Sequence, residues 1–323
     1  MHIVYMGTPQ FAVPTLQKLI AEGHEIDLIV TQPDRKGNRG KVIYSPVKAC
    51  ALVHGIQPFS IKNDPEFVDL LKQINPELIV VAAFGQILPQ SVLDIPIHGC
   101  INVHGSLLPE YRGAAPMQYA ILDGKTETGV TIMKMEASLD TGDMISSAKT
   151  EIDRKDIVEL SEELAELGAN LAAEAVKQIE RGAKLVVKTI DLIASGQATY
   201  TKQDDSASSY AHMISKEDGY TDFNASAVSI DNKIRAFKAW PGTYTTVGDK
   251  ILKIFEAVPT KDVDDKAPYG TVIEVDRDSF VVRCADGALK IYEVQLQGKK
   301  RMPVADFIRG FSLDVGMRLG MRL

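Results

Sequence analysis

The run Leu78-Ile79-Val80-Val81-Ala82-Ala83 contains no polar residue. A strand with one wet face alternates apolar and polar positions, so an unbroken apolar run bounded by turn signals is expected of a strand covered on both faces. Shorter apolar runs occur at 2–6 (His2-Ile3-Val4-Tyr5-Met6), Glu25–Thr31 and Cys100–Val103, with helix-spaced segments between them. Phe11–Glu22 places Phe11, Leu16, Leu19 and Ile20 on one helical face. Ser45-Pro46 reads as an N-cap followed by proline at the first helical position and opens a helix to about His54; Asp64-Pro65 repeats the signal for a helix to about Ile74. Strands that alternate with helices fold as a doubly wound, mainly parallel α/β sheet with right-handed crossovers.

The pattern changes after Asp123-Gly124. Thr128–Met135 and Met144–Ile152 are expected to add antiparallel strands, and a helix over Ile157–Arg181 follows. A chain of 323 residues is long for one core. The polar stretch Gln203–Ser209 suggests where to divide it: a catalytic domain over 1–203, a linker over 204–209 and a second domain over 210–323. That second domain has a helix at Ala227–Phe237. Short β-rich segments follow at Tyr244–Val247, Ile251–Ala257, Gly270–Val275, Phe280–Cys284 and Leu289–Leu296. Short strands at regular spacing suggest a small β-barrel, for which the oligonucleotide-binding barrel is one candidate on length and strand count. The terminal repeat Gly316-Met317-Arg318-Leu319-Gly320-Met321-Arg322-Leu323 is expected to fray.

The net charge of −7 argues against a general polyanion binder, but the charge is uneven. Residues 209–323 hold 17 Lys+Arg against 16 Asp+Glu, leaving 19 against 27 in 1–208. Phosphate binding depends on local patches, so a nucleic-acid partner stays open. Cys50, Cys100 and Cys284 lie far apart without a CxxC pair, which fits buried thiols better than a disulfide framework or zinc site. No apolar run is long enough to span a bilayer, and the N-terminus reads directly as a strand, so no membrane association and a cytoplasmic location are expected.

Chemistry concentrates in Asn102-Val103-His104-Gly105-Ser106-Leu107-Leu108-Pro109-Glu110-Tyr111-Arg112-Gly113-Ala114-Ala115-Pro116. If Cys100–Val103 ends a strand, Asn102 and His104 face one side together. An amide donor, an imidazole and a downstream carboxylate, Asp140 in Leu139-Asp140-Thr141-Gly142, suit acyl transfer. The first turn, Gly7-Thr8-Pro9-Gln10-Phe11-Ala12, lacks the further glycines of a dinucleotide site, and no P-loop pattern or zinc spacing occurs. Gln32-Pro33-Asp34-Arg35-Lys36-Gly37-Asn38-Arg39-Gly40-Lys41 is a basic loop at the carboxyl end of a strand, either a solvated loop or an arm for phosphates. Phe84-Gly85-Gln86-Ile87-Leu88-Pro89 borders the same edge and could wall a flat heteroaromatic ring. Trp240 before Pro241 reads as a packing anchor more readily than a base-stacking residue.

The run Asn102–Pro116, with Thr128-Gly129-Val130-Thr131 and Leu139-Asp140-Thr141-Gly142-Asp143, resembles the folate-dependent formyltransferases. Gly113-Ala114-Ala115-Pro116 resembles the branch that acts on methionyl-tRNA. The likeness begins at Met6-Gly7-Thr8-Pro9-Gln10-Phe11-Ala12 and reaches Trp240-Pro241-Gly242 and Gly298-Lys299-Lys300-Arg301-Met302. Two departures stand out: Ser138 where glycine is expected, which would tighten the loop carrying Asp140, and Tyr220-Thr221-Asp222-Phe223 in place of Arg-Ile-Asp-Trp. The resemblance implies a Rossmann-like N-terminal domain and an oligonucleotide-binding-like barrel. It implies 10-formyltetrahydrofolate as co-substrate, with no metal and no tightly bound cofactor, initiator methionyl-tRNA as acceptor, and formylmethionyl-tRNA for translation initiation as product. A monomer is expected.

By motif match, Asn102, His104 and Asp140 carry over as catalytic. Ser106, Leu107, Leu108 and Pro109 carry over as folate-contacting, joined by the Phe84, Gly85, Gln86, Ile87 and Leu88 wall. Arg35, Lys36, Arg39 and Lys41, with Lys299, Lys300 and Arg301, are the expected tRNA contacts. Whether His104 or Asp140 takes the amine proton stays open. The rival readings are transfer to another amine, hydrolysis with water as acceptor, and a non-catalytic tRNA- or folate-binding protein.

Overall fold

The all-apolar strand lies deep inside the first of two units. In chain order that unit's sheet comprises β1 (His2–Gly7), β2 (Glu25–Thr31), β3 (Pro58–Ser60), β4 (Leu78–Ala82), β5 (Cys100–His104), β6 (Glu127–Lys134) and β7 (Met144–Glu151). The spatial order is β7-β6-β5-β4-β1-β2-β3. The pairs among β1–β5 are parallel, while β6 runs antiparallel to β5 and to β7. All five residues of β4 are buried, as expected where helices cover both faces of a sheet. The computed structural model describes residues 1–36, 42–60, 65–188, 201–261 and 267–321.

Local sequence rules explain the helices. In α1 (Pro46–Val53) the Ser45 hydroxyl accepts from the Lys48 amide, and proline occupies the first turn, which satisfies an otherwise orphaned N–H. The helix α2 (Pro65–Ile74) sends Phe67 and Leu71 into a core with Val4, Met6, Ile79 and Val81. The long helix α3 runs over Ile157–Lys188, past the expected end at Arg181, because one interior glycine, Gly182, costs a helix only about 1 kcal/mol. Several short elements had no clear periodicity and were not expected, among them β3 and the helices Gln90–Leu93, Pro116–Leu122 and Val304–Gly310. The first unit comprises Met1–Pro116, Glu127–Glu151 and Ser161–His212; the second comprises Met117–Thr126, Ile152–Leu160 and Met213–Leu323.

The second unit holds an antiparallel sheet of β8 (Thr243–Val247), β9 (Lys250–Thr260), β10 (Val272–Val275), β11 (Phe280–Arg283) and β12 (Ala288–Leu296), ordered β8-β9-β12-β11-β10, with Met302–Pro303 paired to β12. Its core takes alternate residues of these strands together with Ile230, Ile234 and Phe307. Phe223, from the departing motif, is fully buried there. Tyr220 packs edge-on to Tyr244 and donates its hydroxyl to the Gly320 carbonyl at 2.8 Å.

As far as Met321 the C-terminal tail does not fray; Arg322 and Leu323 lie outside the described residues. Val272 N–H donates to Met317 O at 2.8 Å, Leu319 N–H to Gly270 O at 2.7 Å and Gly320 N–H to Thr246 O at 2.9 Å. The tail therefore lies between the two edge strands of the sheet, bridging both. The short duplication masks an alternation: Met317 and Leu319 point inward and Arg318 outward, the period of a strand. Trp240 also differs from expectation, since it is 56% exposed rather than packed.

Leu319 is 1% exposed, so Leu319→Ala is expected to destabilise the protein by about 2–5 kcal/mol. Denaturant unfolding measures it; an unchanged midpoint would indicate a loose tail.

Candidate active site

The strand β5 ends at the carboxyl edge of the parallel sheet, where the loops after β1, β2 and β4 also emerge. Open α/β sheets bind ligands at this edge. In β5, Asn102 and His104 are two residues apart and share a face, pairing with Met133 and Thr131 of β6. Asn102 is half-buried, while His104 is 5% exposed.

Both nitrogens of His104 have defined neighbours. Nε2 lies 2.9 Å from the Tyr111 carbonyl oxygen. A carbonyl only accepts, so Nε2 carries the proton and donates. Nδ1 therefore faces Asp140 Oδ2, 3.7 Å away. That gap exceeds direct hydrogen-bond length. The same Oδ2 accepts the Gly113 N–H at 2.8 Å. Three backbone positions here are left-handed: Tyr111 (φ 59), Gly113 (φ 115) and Asp140 (φ 52). The two non-glycine residues each store on the order of 1–3 kcal/mol, a cost that concentrates at functional sites. Ser138 is not among the positive-φ residues; the strain falls at Asp140, and a side chain at 138 is accommodated without it.

The loop bearing Asp140 is held tightly. A Cβ on Gly142 would lie 1.8 Å from the Lys134 carbonyl oxygen, so only glycine permits this approach. Gln203 donates from Nε2 to the carbonyls of Asp140 (2.9 Å) and Gly142 (2.8 Å). Its Oε1 accepts from Arg112 Nε (3.0 Å) and Nη2 (2.8 Å). Arg112 is 2% exposed and reaches Asp205 at 2.7 Å. Neither Arg112 nor Gln203 was expected from sequence: they are 91 residues apart, and Gln203 sits in a stretch of ordinary polar composition. Ser209 in that stretch takes the Tyr111 N–H on its hydroxyl (2.9 Å) and the Arg112 N–H on its carbonyl (2.8 Å). Tyr210–Ala211 then pairs in parallel with Arg112–Gly113.

The two loops expected to meet the folate are partly consumed by the fold. Ser106 is fully buried and donates to Glu110 O at 2.6 Å. The Thr131 hydroxyl accepts from Leu108 N at 3.1 Å and donates to Ser106 O at 2.8 Å. Leu107 and Pro109 stay half-buried and Leu108 is buried. Phe84 and Leu88 belong to the apolar core; the exposed part of that loop is Gly85 and Ile87, with Gln86 half-buried. Gln32 Nε2 donates to Phe84 O at 3.1 Å and fixes the turn.

Of the expected cationic contacts, Arg35 and Lys36 form a two-residue strand with Val42–Ile43; Arg39 and Lys41 lie outside the described residues. In the second unit Lys299 and Lys300 are exposed, whereas Arg301 pairs with Glu293 and lies over the Phe255 ring at 4.4 Å. Burial pushes the thiols of Cys100 and Cys284 up to about 12, so neither is a nucleophile near neutral pH. His2 and Glu25, both exposed, and the half-buried Asp27 group at the opposite ends of the strands.

The formyl transferase family matches residues 1–176, and the formyl transferase C-terminal domain matches residues 213–312. The chain is 45% identical to the methionyl-tRNA formyltransferase of Geobacter sulfurreducens over 99% of this chain and 97% of that one. It is 44% identical to the enzyme of the same name from Caldanaerobacter subterraneus over 98% of this chain and 99% of that one. Among solved structures it resembles an N-formyltransferase from Helicobacter canadensis in complex with folinic acid and dTDP-3-aminofucose. The TM-score is 0.65 at 19% identity, covering 93% of this chain and 99% of that one. It also resembles HypX from Aquifex aeolicus in complex with tetrahydrofolic acid, with a TM-score of 0.63 at 16% identity, covering 98% of this chain and 50% of that one.

A Cβ on Gly113 would approach the Ala211 carbonyl oxygen to 2.6 Å, at a φ few side chains adopt. Gly113→Ala is therefore expected to lower stability by about 1–3 kcal/mol and to loosen Asp140. A thermal or denaturant melt reports the first effect, and parental stability would contradict the close approach.

Proposed function

Because the chain belongs to the formyl transferase family, we propose that it moves the formyl group of 10-formyltetrahydrofolate to the α-amino group of initiator methionyl-tRNA. The products are N-formylmethionyl-tRNA, for translation initiation, and tetrahydrofolate. The observation that carries the mechanism is the approach of His104 Nδ1 to Asp140 Oδ2 at 3.7 Å, on the face that Asn102 shares.

The neutral amine attacks the formyl carbon, and negative charge develops on the formyl oxygen. Asn102 donates its amide N–H to that oxygen; a lost donor of this kind typically raises the barrier by about 2.7–4 kcal/mol. The ring nitrogens of His104 are directed to Tyr111 and Asp140, so stabilising the oxyanion falls to Asn102. The gap between Nδ1 and the carboxylate is long enough for the amine, or a water relaying its proton, to bond to both groups. The amine proton passes to the His104–Asp140 pair as the new N–C bond forms. The pair returns a proton to N10 as the old C–N10 bond breaks, leaving the protein unchanged. The folate ring system lies along Gly85, Gln86 and Ile87, with the Phe84 and Leu88 core behind them, and along Leu107 and Pro109, with the buried Ser106 and Leu108 holding that turn from beneath.

The basic loop after β2, with Arg35, Lys36, Arg39 and Lys41, takes phosphates of the acceptor end. Lys299 and Lys300 add contacts from the second unit, and Arg301 contributes less because Glu293 already pairs with it. The net charge of −7 is compatible with this, since local cations determine phosphate binding. Among the described residues no helix is long and apolar enough to cross a membrane. We read the protein as a cytoplasmic monomer with its catalytic part in 1–203, a short connection over 204–209 and a tRNA-directed part in 210–323.

Transfer of labelled formyl from 10-formyltetrahydrofolate to initiator methionyl-tRNA tests the reading. Asn102→Ala is expected to lower kcat about 10²–10³-fold and His104→Ala to abolish most turnover, both with folate binding kept. Parental rates in either variant, or release of formate in place of transfer, would count against it. Arg39→Ala is expected to raise the KM for the tRNA, leave that for the folate unchanged, and weaken the salt dependence of binding. An unchanged tRNA KM at low salt would remove the loop from the interface.

A further inference from the structure

We propose that Arg112 and Gln203 are positioning residues that set the catalytic orientation of Asp140. The inference rests on the reading above, that Asp140 acts with His104 in proton transfer. The geometry is one of full occupancy. A carboxamide offers two N–H donors and two acceptor lone pairs, and in Gln203 all four are used. The donors go to the carbonyls of Asp140 and Gly142, and the oxygen takes both Arg112 Nε and Nη2. Guanidinium and loop carbonyls fix the amide from opposite ends, since only its oxygen can face the first and only its NH2 the second.

The consecutive residues Tyr111, Arg112 and Gly113 thereby reach both catalytic groups by three routes. The Tyr111 carbonyl holds the imidazole, the Gly113 N–H holds the carboxylate, and Arg112, through Gln203, holds the main chain that carries the carboxylate. The third route matters because Asp140 sits at φ 52, a conformation that persists only where the surroundings enforce it. Without the two Gln203 donors, the turn can relax and carry the carboxylate away from Nδ1. The guanidinium is buried, and Asp205, 83% exposed, holds it from the solvent side. A buried charge of this kind needs its partners to stay in place.

Gln203→Glu separates positioning from general support. It preserves the shape and an acceptor for Arg112 but removes both donors to the loop. The expected result is a fall in single-turnover transfer and kcat of about ten- to a hundredfold, the scale of a small misplacement at a reacting centre. The KM for each substrate should stay within about twofold. Arg112→Lys should not restore function, because an ammonium cannot span the amide oxygen and Asp205 as the fork does. Asp205→Asn, at an exposed position, tests the outer end with little risk to folding and should give a smaller fall of the same kind. Circular dichroism checks folding in each case.

The deciding measurement is a double-mutant cycle with Asp140→Asn. If Gln203 acts through Asp140, Gln203→Glu should cost no further rate once Asp140 has lost its charge. An additional loss of the same size in that background would overturn the proposal, as would parental kcat in folded Gln203→Glu and Asp205→Asn. If Asp140→Asn alone retained parental activity, the underlying assignment of Asp140 would fail instead.

Discussion

The hydrogen bond from His104 Nε2 to the Tyr111 carbonyl is the contact on which the site depends. It assigns the ring proton to Nε2, turns Nδ1 toward Asp140, and does so from a residue whose own backbone is left-handed. The imidazole therefore depends on a loop, and the loop depends on Ser209, Ala211 and Gln203, nearly a hundred residues later in the chain. The parallel sheet supplies the platform: β5 is inserted between β4 and β6, and its end cannot shift without disturbing both ladders. Pairing with Thr131 places His104 beside the residue whose hydroxyl ties Ser106 to Leu108. One strand thus anchors both the imidazole and the loop that follows it.

Much of this was legible in the sequence because the signals are local. An apolar run marked β4, Ser45-Pro46 marked a helix start, and spacing of two put Asn102 and His104 on one face. Asp140 was picked out as the carboxylate of a Thr-Gly turn, which no periodicity points to, and the family motif then gave it the same role. The missed features depend on distant partners. Nothing near Arg112 announces that its guanidinium is buried, and nothing near Gln203 distinguishes it from a surface glutamine. Likewise the tail's inward Leu319 is meaningful only beside the unpaired edges at Thr246 and Gly270. Phe84 and Leu88 were assigned to the ligand wall from an apolar pattern that serves equally well for core, which is where the structure puts their side chains.

The same logic explains how an acidic chain can handle a polyanion. Its excess of acidic residues falls in 1–208, while the cations proposed for the tRNA are Arg35, Lys36, Arg39 and Lys41 in that part and Lys299 and Lys300 in the second unit. Within each unit the buried charges are paired: Arg112 with Asp205, and Asp231 with Arg154 and Arg235. They are committed to the fold and unavailable to a ligand.

The most direct test of this account is the nitrogen NMR spectrum of the His104 ring in selectively labelled protein. Neutral His104 is expected to carry its proton on Nε2, and this tautomer preference is expected to weaken in a Gly113→Ala variant that disturbs the loop. A ring protonated on Nδ1 in the neutral form would contradict it, because the imidazole would then present a lone pair to the Tyr111 carbonyl and the arrangement described for Asp140 would not hold.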